Sequence, residues 1–124
     1  MKIGNFDTDE KVLIIAEIGN NHEGSYTLAE EMIGLAAEAE ADAVKFQTIV
    51  PERLVSSRQK ERIAQLKRFQ LTYQEFEKLA DVATNEKVLF LSTPFDIDSA
   101  QFLNDLVPAF KIASGDNNFF PLLE

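Results

Sequence analysis

Lys45 and Lys111 stand inside apolar runs, Ala43-Val44-Lys45-Phe46-Gln47-Thr48 and Ala109-Phe110-Lys111-Ile112-Ala113. A lysine in such a run is costly unless its charge is paired or points into a polar cavity. One alone could reach solvent along its aliphatic stem. Two at equivalent places on different runs point instead to convergence on an anion, a phosphate or a carboxylate. Ser114, Gly115 and nearby backbone N–H groups would add hydrogen bonds. Either lysine could also form a Schiff base, as in an aldolase. Residue types alone do not separate these roles.

Glu17 occupies the same kind of position in the run Val12 to Ile18. A carboxylate there suits general acid/base work, or a structural ion pair with Lys45 on a neighbouring strand, and the two readings are compatible. Gln47 and Thr48 follow Lys45, and Ser92-Thr93-Pro94 ends another apolar run. Hydroxyls at strand ends often do no more than start a turn. Asp96 reads as a helix cap, whereas Asp116, just past Lys111, is the better catalytic candidate. His22 is the only histidine. One histidine beside Glu23 is not a metal ligand set, so His22 reads as a loop residue that binds substrate or closes a turn.

The elements that carry these residues follow from periodicity. Lys2 to Glu10 reads as a short hairpin or lead-in, and Val12 to Ile18 as a strand buried on both faces. Ser25 or Thr27 would cap a helix whose Leu28, Met32, Leu35, Ala36 and Ala39 share a face. That helix should stop near Glu40, where a left-handed residue other than glycine costs about 1 kcal/mol. Ala43 to Thr48 is the second strand. Pro51 opens a polar excursion with an extra helix over Glu61 to Arg68. Thr72, with Glu75 three residues on, starts a helix through Asn85 with Phe76, Leu79, Ala80 and Ala83 inward. Val88 to Leu91 is the third strand, a short helix from Asp98 or Ser99 carries Phe102, Leu103 and Leu106, and Ala109 to Ala113 is the fourth strand. Pro121 to Glu124 resembles a first helical turn. The β-α-β-α-β-α-β order, in units of about 30 to 40 residues, predicts parallel strands with right-handed crossovers. Every strand ends in polar chemistry, and this favours half of a (β/α)8 barrel over a doubly wound sheet.

The chain has 124 residues and a formal charge of −9. That balance argues against general nucleic-acid binding, yet leaves room for an anionic substrate in a cleft whose local field is set by a few lysines. With no cysteine, disulfides and thiolate metal sites are excluded and a reducing cytoplasm is allowed. The first residues do not form a signal peptide, and no apolar run approaches the ~20 residues of a membrane span. A soluble, cytoplasmic protein is expected.

Taken together, Ala16-Glu17-Ile18-Gly19-Asn20-Asn21-His22-Glu23-Gly24, Val44-Lys45-Phe46-Gln47-Thr48, Leu91-Ser92-Thr93-Pro94-Phe95-Asp96 and Phe110-Lys111-Ile112-Ala113-Ser114-Gly115-Asp116 resemble the N-acetylneuraminate (sialic acid) synthase family. Legionaminic and pseudaminic acid synthases and spore-coat polysaccharide proteins are similar. The resemblance implies a (β/α)8 barrel that condenses phosphoenolpyruvate with an N-acetylated aldose such as N-acetylmannosamine, giving a nine-carbon 2-keto acid and phosphate. By motif match, Lys45, Gln47, Thr93, Lys111 and Ser114 would hold phosphoenolpyruvate, and Glu17 would handle proton or water chemistry. Asp116 would contact the amino sugar where the family often has glutamate, with His22 and Asn118 as further substrate contacts. The resemblance also implies a divalent metal, Mn or Mg, on two histidines of later strands, and a homodimer completed by a C-terminal antifreeze-like domain. Residues 1–124 then form one partial barrel domain, expected to be inactive alone and either poorly folded or self-associated. The rival readings are a Schiff-base aldolase barrel and a non-catalytic half-barrel that dimerises.

Overall fold

The computed structural model describes residues 1–124. A short antiparallel hairpin, β1 (Lys2–Ile3) and β2 (Phe6–Asp7), leads into a three-stranded parallel sheet of order β3 (Ile15–Gly19), β4 (Ala43–Thr48) and β5 (Leu89–Pro94). The connections are α1 (Tyr26–Glu38) between β3 and β4, and then α2 (Pro51–Leu54), α3 (Lys60–Phe69) and α4 (Tyr73–Asn85) between β4 and β5. After β5 come α5 (Ile97–Leu103), a 3-10 turn (Ser114–Asp116) and α6 (Phe120–Leu123). This is the α/β pattern of the first part of a (β/α)8 barrel.

The sheet and two helices share one core. Ile18, Val44, Phe46 and Phe90 project from the strands onto Ala29, Ile33 and Ala36 of α1 and Phe76, Leu79, Ala80 and Ala83 of α4. Phe46 stacks on Phe90 with ring centroids 5.4 Å apart and meets Phe76 edge-on at 6.3 Å. Burying one such ring stabilises the fold by about 2–3 kcal/mol. Successive strand residues alternate in direction, so seating Phe46 among the helices turns Lys45 and Gln47 to the opposite face. The core therefore orients the chemistry.

The helix over Tyr73–Asn85 behaves as its sequence predicts. Thr72 Oγ1 accepts from Glu75 N at 3.2 Å, and Glu75 Oε2 accepts from Thr72 N at 2.7 Å, which closes the capping box. Such a cap is worth about 1 kcal/mol. Glu40 adopts φ +62° at the end of α1, as its position required, and Lys87 does the same after α4.

Three expectations need correction. The first strand begins at Ile15, and Val12 is 78% exposed; β3 is an edge strand with β4 on one side only, and with Ile15 and Glu17 exposed it is not buried on both faces. The inward face of α1 is Ala29, Ile33 and Ala36, while Leu35 is 56% exposed. That helix packs on β3 and β4 beside α4, which packs on β5, and alanines allow the close approach that leucines would block. The fourth run forms a single parallel bridge, Ser92 to Phe110, in place of a ladder. Pro108 brings no N–H to it, and the 3-10 turn from Ser114 ends it early.

Candidate functional site

The register pairs Glu17 with Lys45 across β3 and β4, and Gln47 with Thr93 across β4 and β5. Side chains at the C-terminal ends of three strands are thereby brought to one rim. Lys45 is 9% exposed. Its Nζ lies 2.7 Å from Glu17 Oε2 and 3.0 Å from Oε1, and donates to Thr93 Oγ1 at 3.2 Å. An ammonium carries three N–H bonds, so Glu17 and Thr93 leave one for a ligand. The Glu17 side chain is 52% exposed, contrary to the buried strand position expected of it, and lines an open cleft.

Lys111 is exposed and donates to the Ile112 carbonyl at 2.6 Å. It lines the same cavity, of about 410 Å3, as Lys45, Gln47, Thr93, Ser114 and Asp116. That volume suits a small ligand. Glu17 lines an adjoining cleft of about 400 Å3 with Asn20 and Asn21, and Gln47 forms a wall of both. Asn20 Nδ2 donates to Gln47 Oε1 at 2.9 Å. This bond orients the Gln47 amide so that its NH2 group is left free of the bond. Asn20 is the site residue that reading single residues missed; its only signal is its place in the loop that leaves β3.

Two predicted substrate contacts lie elsewhere. His22 is 1% exposed and packs on the far side of the sheet against Phe46, ring centroids 6.0 Å apart. Its Nδ1 accepts from Gly24 N at 3.0 Å, while Nε2 has no hydrogen-bond partner. The imidazole therefore closes the turn after β3. Asn118 is exposed beyond the 3-10 turn and does not line the lysine cavity. Thr48 and Ser92 hydrogen-bond to each other at 2.8 Å in the interior, on the face away from Lys45. Asp96 caps α5, accepting from Ser99 N at 3.0 Å and Ser99 Oγ at 2.6 Å, and pairs with Arg53.

His22 carries a pH dependence. Burial holds its pKa below the ordinary 6.5, and the Glu75 carboxylate opposes this only in part. Below pH 6.5 the unfolded chain takes up a proton that the folded chain refuses. Stability present above pH 6.5 is then lost as pH falls through that value towards the folded pKa, by at most about 1.4 kcal/mol per pH unit. Urea unfolding between pH 7.5 and 5.5 should show this loss, and His22→Gln should flatten it. An equal slope in both proteins would contradict the assignment.

Two lysines, hydroxyl and amide donors, and a carboxylate on each side thus line one rim at the C-terminal ends of the strands. The chain belongs to the NeuB family, whose model matches residues 32–124. It is 38% identical to the pseudaminic acid synthase of Campylobacter jejuni, over 99% of this chain and 41% of that protein. It is 35% identical to the N-acetylneuraminate-9-phosphate synthase of Homo sapiens, over 90% of this chain and 34% of that protein. The crystal structure of the N-acetylneuraminic acid synthetase of Leptospira borgpetersenii, in complex with citrate, superposes with a TM-score of 0.91 at 35% identity, over 99% of this chain and 44% of that one. The chain thus spans about two fifths of the length of these relatives. No helix is long and apolar enough to cross a membrane.

Proposed function

We propose that the chain supplies the phosphoenolpyruvate-binding part of a sugar-acid synthase. The reaction condenses phosphoenolpyruvate with an N-acetylated aldose, N-acetylmannosamine or a related amino sugar, to a nine-carbon 2-keto acid and phosphate. The observation that carries this reading is the single cavity lined by Lys45, Lys111, Thr93, Ser114 and Gln47. Phosphoenolpyruvate is a phosphorylated carboxylate, and a cavity with two cations and three neutral donors matches it. The names of the relatives, a pseudaminic acid synthase and an N-acetylneuraminate-9-phosphate synthase, support the same reaction class.

In this reading Lys45 gives its third N–H to the substrate, while Glu17 and Thr93 hold its ammonium in place. Lys111 leaves its neighbouring carbonyl to meet the phosphate or the carboxylate. C3 of phosphoenolpyruvate forms the new bond to the aldehyde carbon, water adds at C2, and phosphate departs with its C–O bond broken. Glu17, at the mouth and half exposed, holds the proton or the water at the reacting centre. Asp116 accepts from a sugar hydroxyl. A divalent metal would polarise the aldehyde in this family. No three His, Cys, Asp or Glu side chains converge in this chain, so its residues do not make a metal centre and no step is assigned to one.

The rival Schiff-base route needs a free amine. The Lys45 ammonium is already engaged by a carboxylate and a hydroxyl, an arrangement made for a cation. Incubation with pyruvate and borohydride should therefore leave the intact mass unchanged. A reduced adduct mapping to Lys45 or Lys111 would overturn the synthase reading in favour of an aldolase.

A further inference from the structure

The excursion that holds α2 and α3, residues 51–70, is lightly attached to the rest of the chain. The four-residue α2 starts without a side-chain cap, and α3 buries none of its residues. Backbone bonds to the Val50 carbonyl start α2. Beyond these, the hydrogen bonds and ion pairs of the excursion stay within it, Lys67 with Glu52 among them. Arg53 is the exception. Its Nη1 donates to Asp96 Oδ1 at 3.2 Å and also pairs with Asp98, and both acids stand at the start of α5.

The sequence neighbours of this pair are walls of the site. Leu54 follows Arg53 and Phe95 precedes Asp96. Both line the lysine cavity as well as an adjoining cavity of about 500 Å3. The ion pair thus clasps α2 to the turn after β5 where each gives the lysine cavity an apolar wall. Asp96 is 7% exposed and already fixed by two bonds from Ser99, so it is a rigid anchor. Arg53 ties the lightly attached side to it. A wall held in place keeps water from the lysines, and an ammonium attracts an anion more strongly where water is excluded.

We infer that Arg53 is a positioning residue: through Asp96 and Asp98 it holds Leu54 and Phe95 as the apolar wall of the phosphoenolpyruvate cavity. Arg53 itself does not line that cavity. The inference rests on the proposed function and adds to it a residue that acts through α2. Phosphoenolpyruvate would be titrated into the isotope-labelled protein and into Arg53→Ala, Asp98→Asn and Lys67→Ala, each folded as judged by its dispersed amide spectrum. Arg53→Ala and Asp98→Asn should each weaken binding about fivefold or more. In both, the Leu54 and Val55 amides, which donate to the Val50 and Pro51 carbonyls, should exchange with water faster before any ligand is added. Lys67→Ala breaks only a pair internal to the excursion and should change neither quantity.

Asp98→Asn separates a clasp from a charge effect. If Arg53 acted on the anion through its field alone, removing the Asp98 carboxylate would tighten binding, whereas loosening a clasp weakens it. Tighter binding by Asp98→Asn therefore overturns the inference, and so does an equal loss in Lys67→Ala, which would mean a diffuse positive field. Faster amide exchange with unchanged affinity overturns it as well. Arg53 and Asp98 are 47% and 55% exposed in their side chains, so both variants should fold; if Arg53→Ala does not, the sign of the Asp98→Asn effect decides. Absence of binding by the unaltered protein overturns the proposed function and the positioning role with it. Normal binding by that protein, with unchanged affinity in Arg53→Ala and Asp98→Asn, overturns the clasp alone.

Discussion

Lys45→Ala is expected to weaken phosphoenolpyruvate binding by about a hundredfold or more while leaving the chain folded. Nearly all of the Lys45 side chain is buried, and its ammonium is fixed by Glu17 and Thr93 before any ligand arrives. A pre-positioned cation needs little reorganisation on binding. Truncating one partner of a buried, hydrogen-bonded charge pair costs on the order of 2–5 kcal/mol, which spans the hundredfold effect. Folding should suffer much less, because Glu17 is half exposed and water can take over its hydrogen bonds. Lys111→Ala should have a smaller effect, about tenfold, since that ammonium is exposed and must leave the Ile112 carbonyl to reach the ligand. Calorimetric titration of the three proteins checks the order. Equal losses for both lysines would contradict the role given to Lys45.

Gly24→Ala should destabilise the chain by about 3 kcal/mol or more. Gly24 has φ +83°, and a Cβ placed there would lie 1.9 Å from the Arg68 carbonyl oxygen and 3.0 Å from its carbon. The contact is with backbone at the end of α3, so no side chain can rotate away. Either α3 moves or the turn after β3 opens, and opening removes the Gly24 N–H from His22 Nδ1. A non-glycine residue in the left-handed region adds about 1–2 kcal/mol. Small domains are stable by only about 5–15 kcal/mol, so the urea midpoint should fall far. Gly34→Ala is the counterpart. It lies within α1 with nothing within 4 Å of its Cβ position, and should stabilise by about 0.5–1 kcal/mol through helix propensity. A midpoint shift of the same sign in both variants would contradict this packing.

What could be read from the sequence was what depends on near neighbours. Ala43–Thr48 is a strand with the bounds its composition implies, and Thr72-x-x-Glu75 fixes both the start and the inward face of the helix that follows. The face of α1 could not be read the same way. Apolar residues line more than one side of it, and the choice of Ala29 and Ile33 is made by the sheet and α4. The run Ala109–Ala113 is apolar enough for a strand, but a ladder is a property of two segments, and here only one bridge forms.

The site was legible in its lysines and in the hydroxyl and amide beside them, because an unpaired charge in an apolar strand demands an explanation. The parity of the strand carried more than single residues did. With Phe46 inward, Lys45 and Gln47 must share the other face, and Thr48 must leave it. Of the two readings open for His22, the structure shows the turn-closing one, but its burial was not legible. A loop histidine on the surface and one buried beneath the same loop look alike in sequence, and only the packing on Phe46 tells them apart. Asn118 lies outside the lysine cavity, and its place depends on the 3-10 turn before it, a few residues whose direction no periodicity sets.

The measurement that bears most directly on the central claim is a phosphoenolpyruvate titration of the isotope-labelled protein, folded as judged by its dispersed amide spectrum, followed by NMR. The account predicts saturable shifts at the Lys45 and Lys111 side chains and at the amides of Gln47, Thr93 and Ser114, all absent in Lys45→Ala. Shifts confined to other residues, or no saturable response at these five, would contradict it.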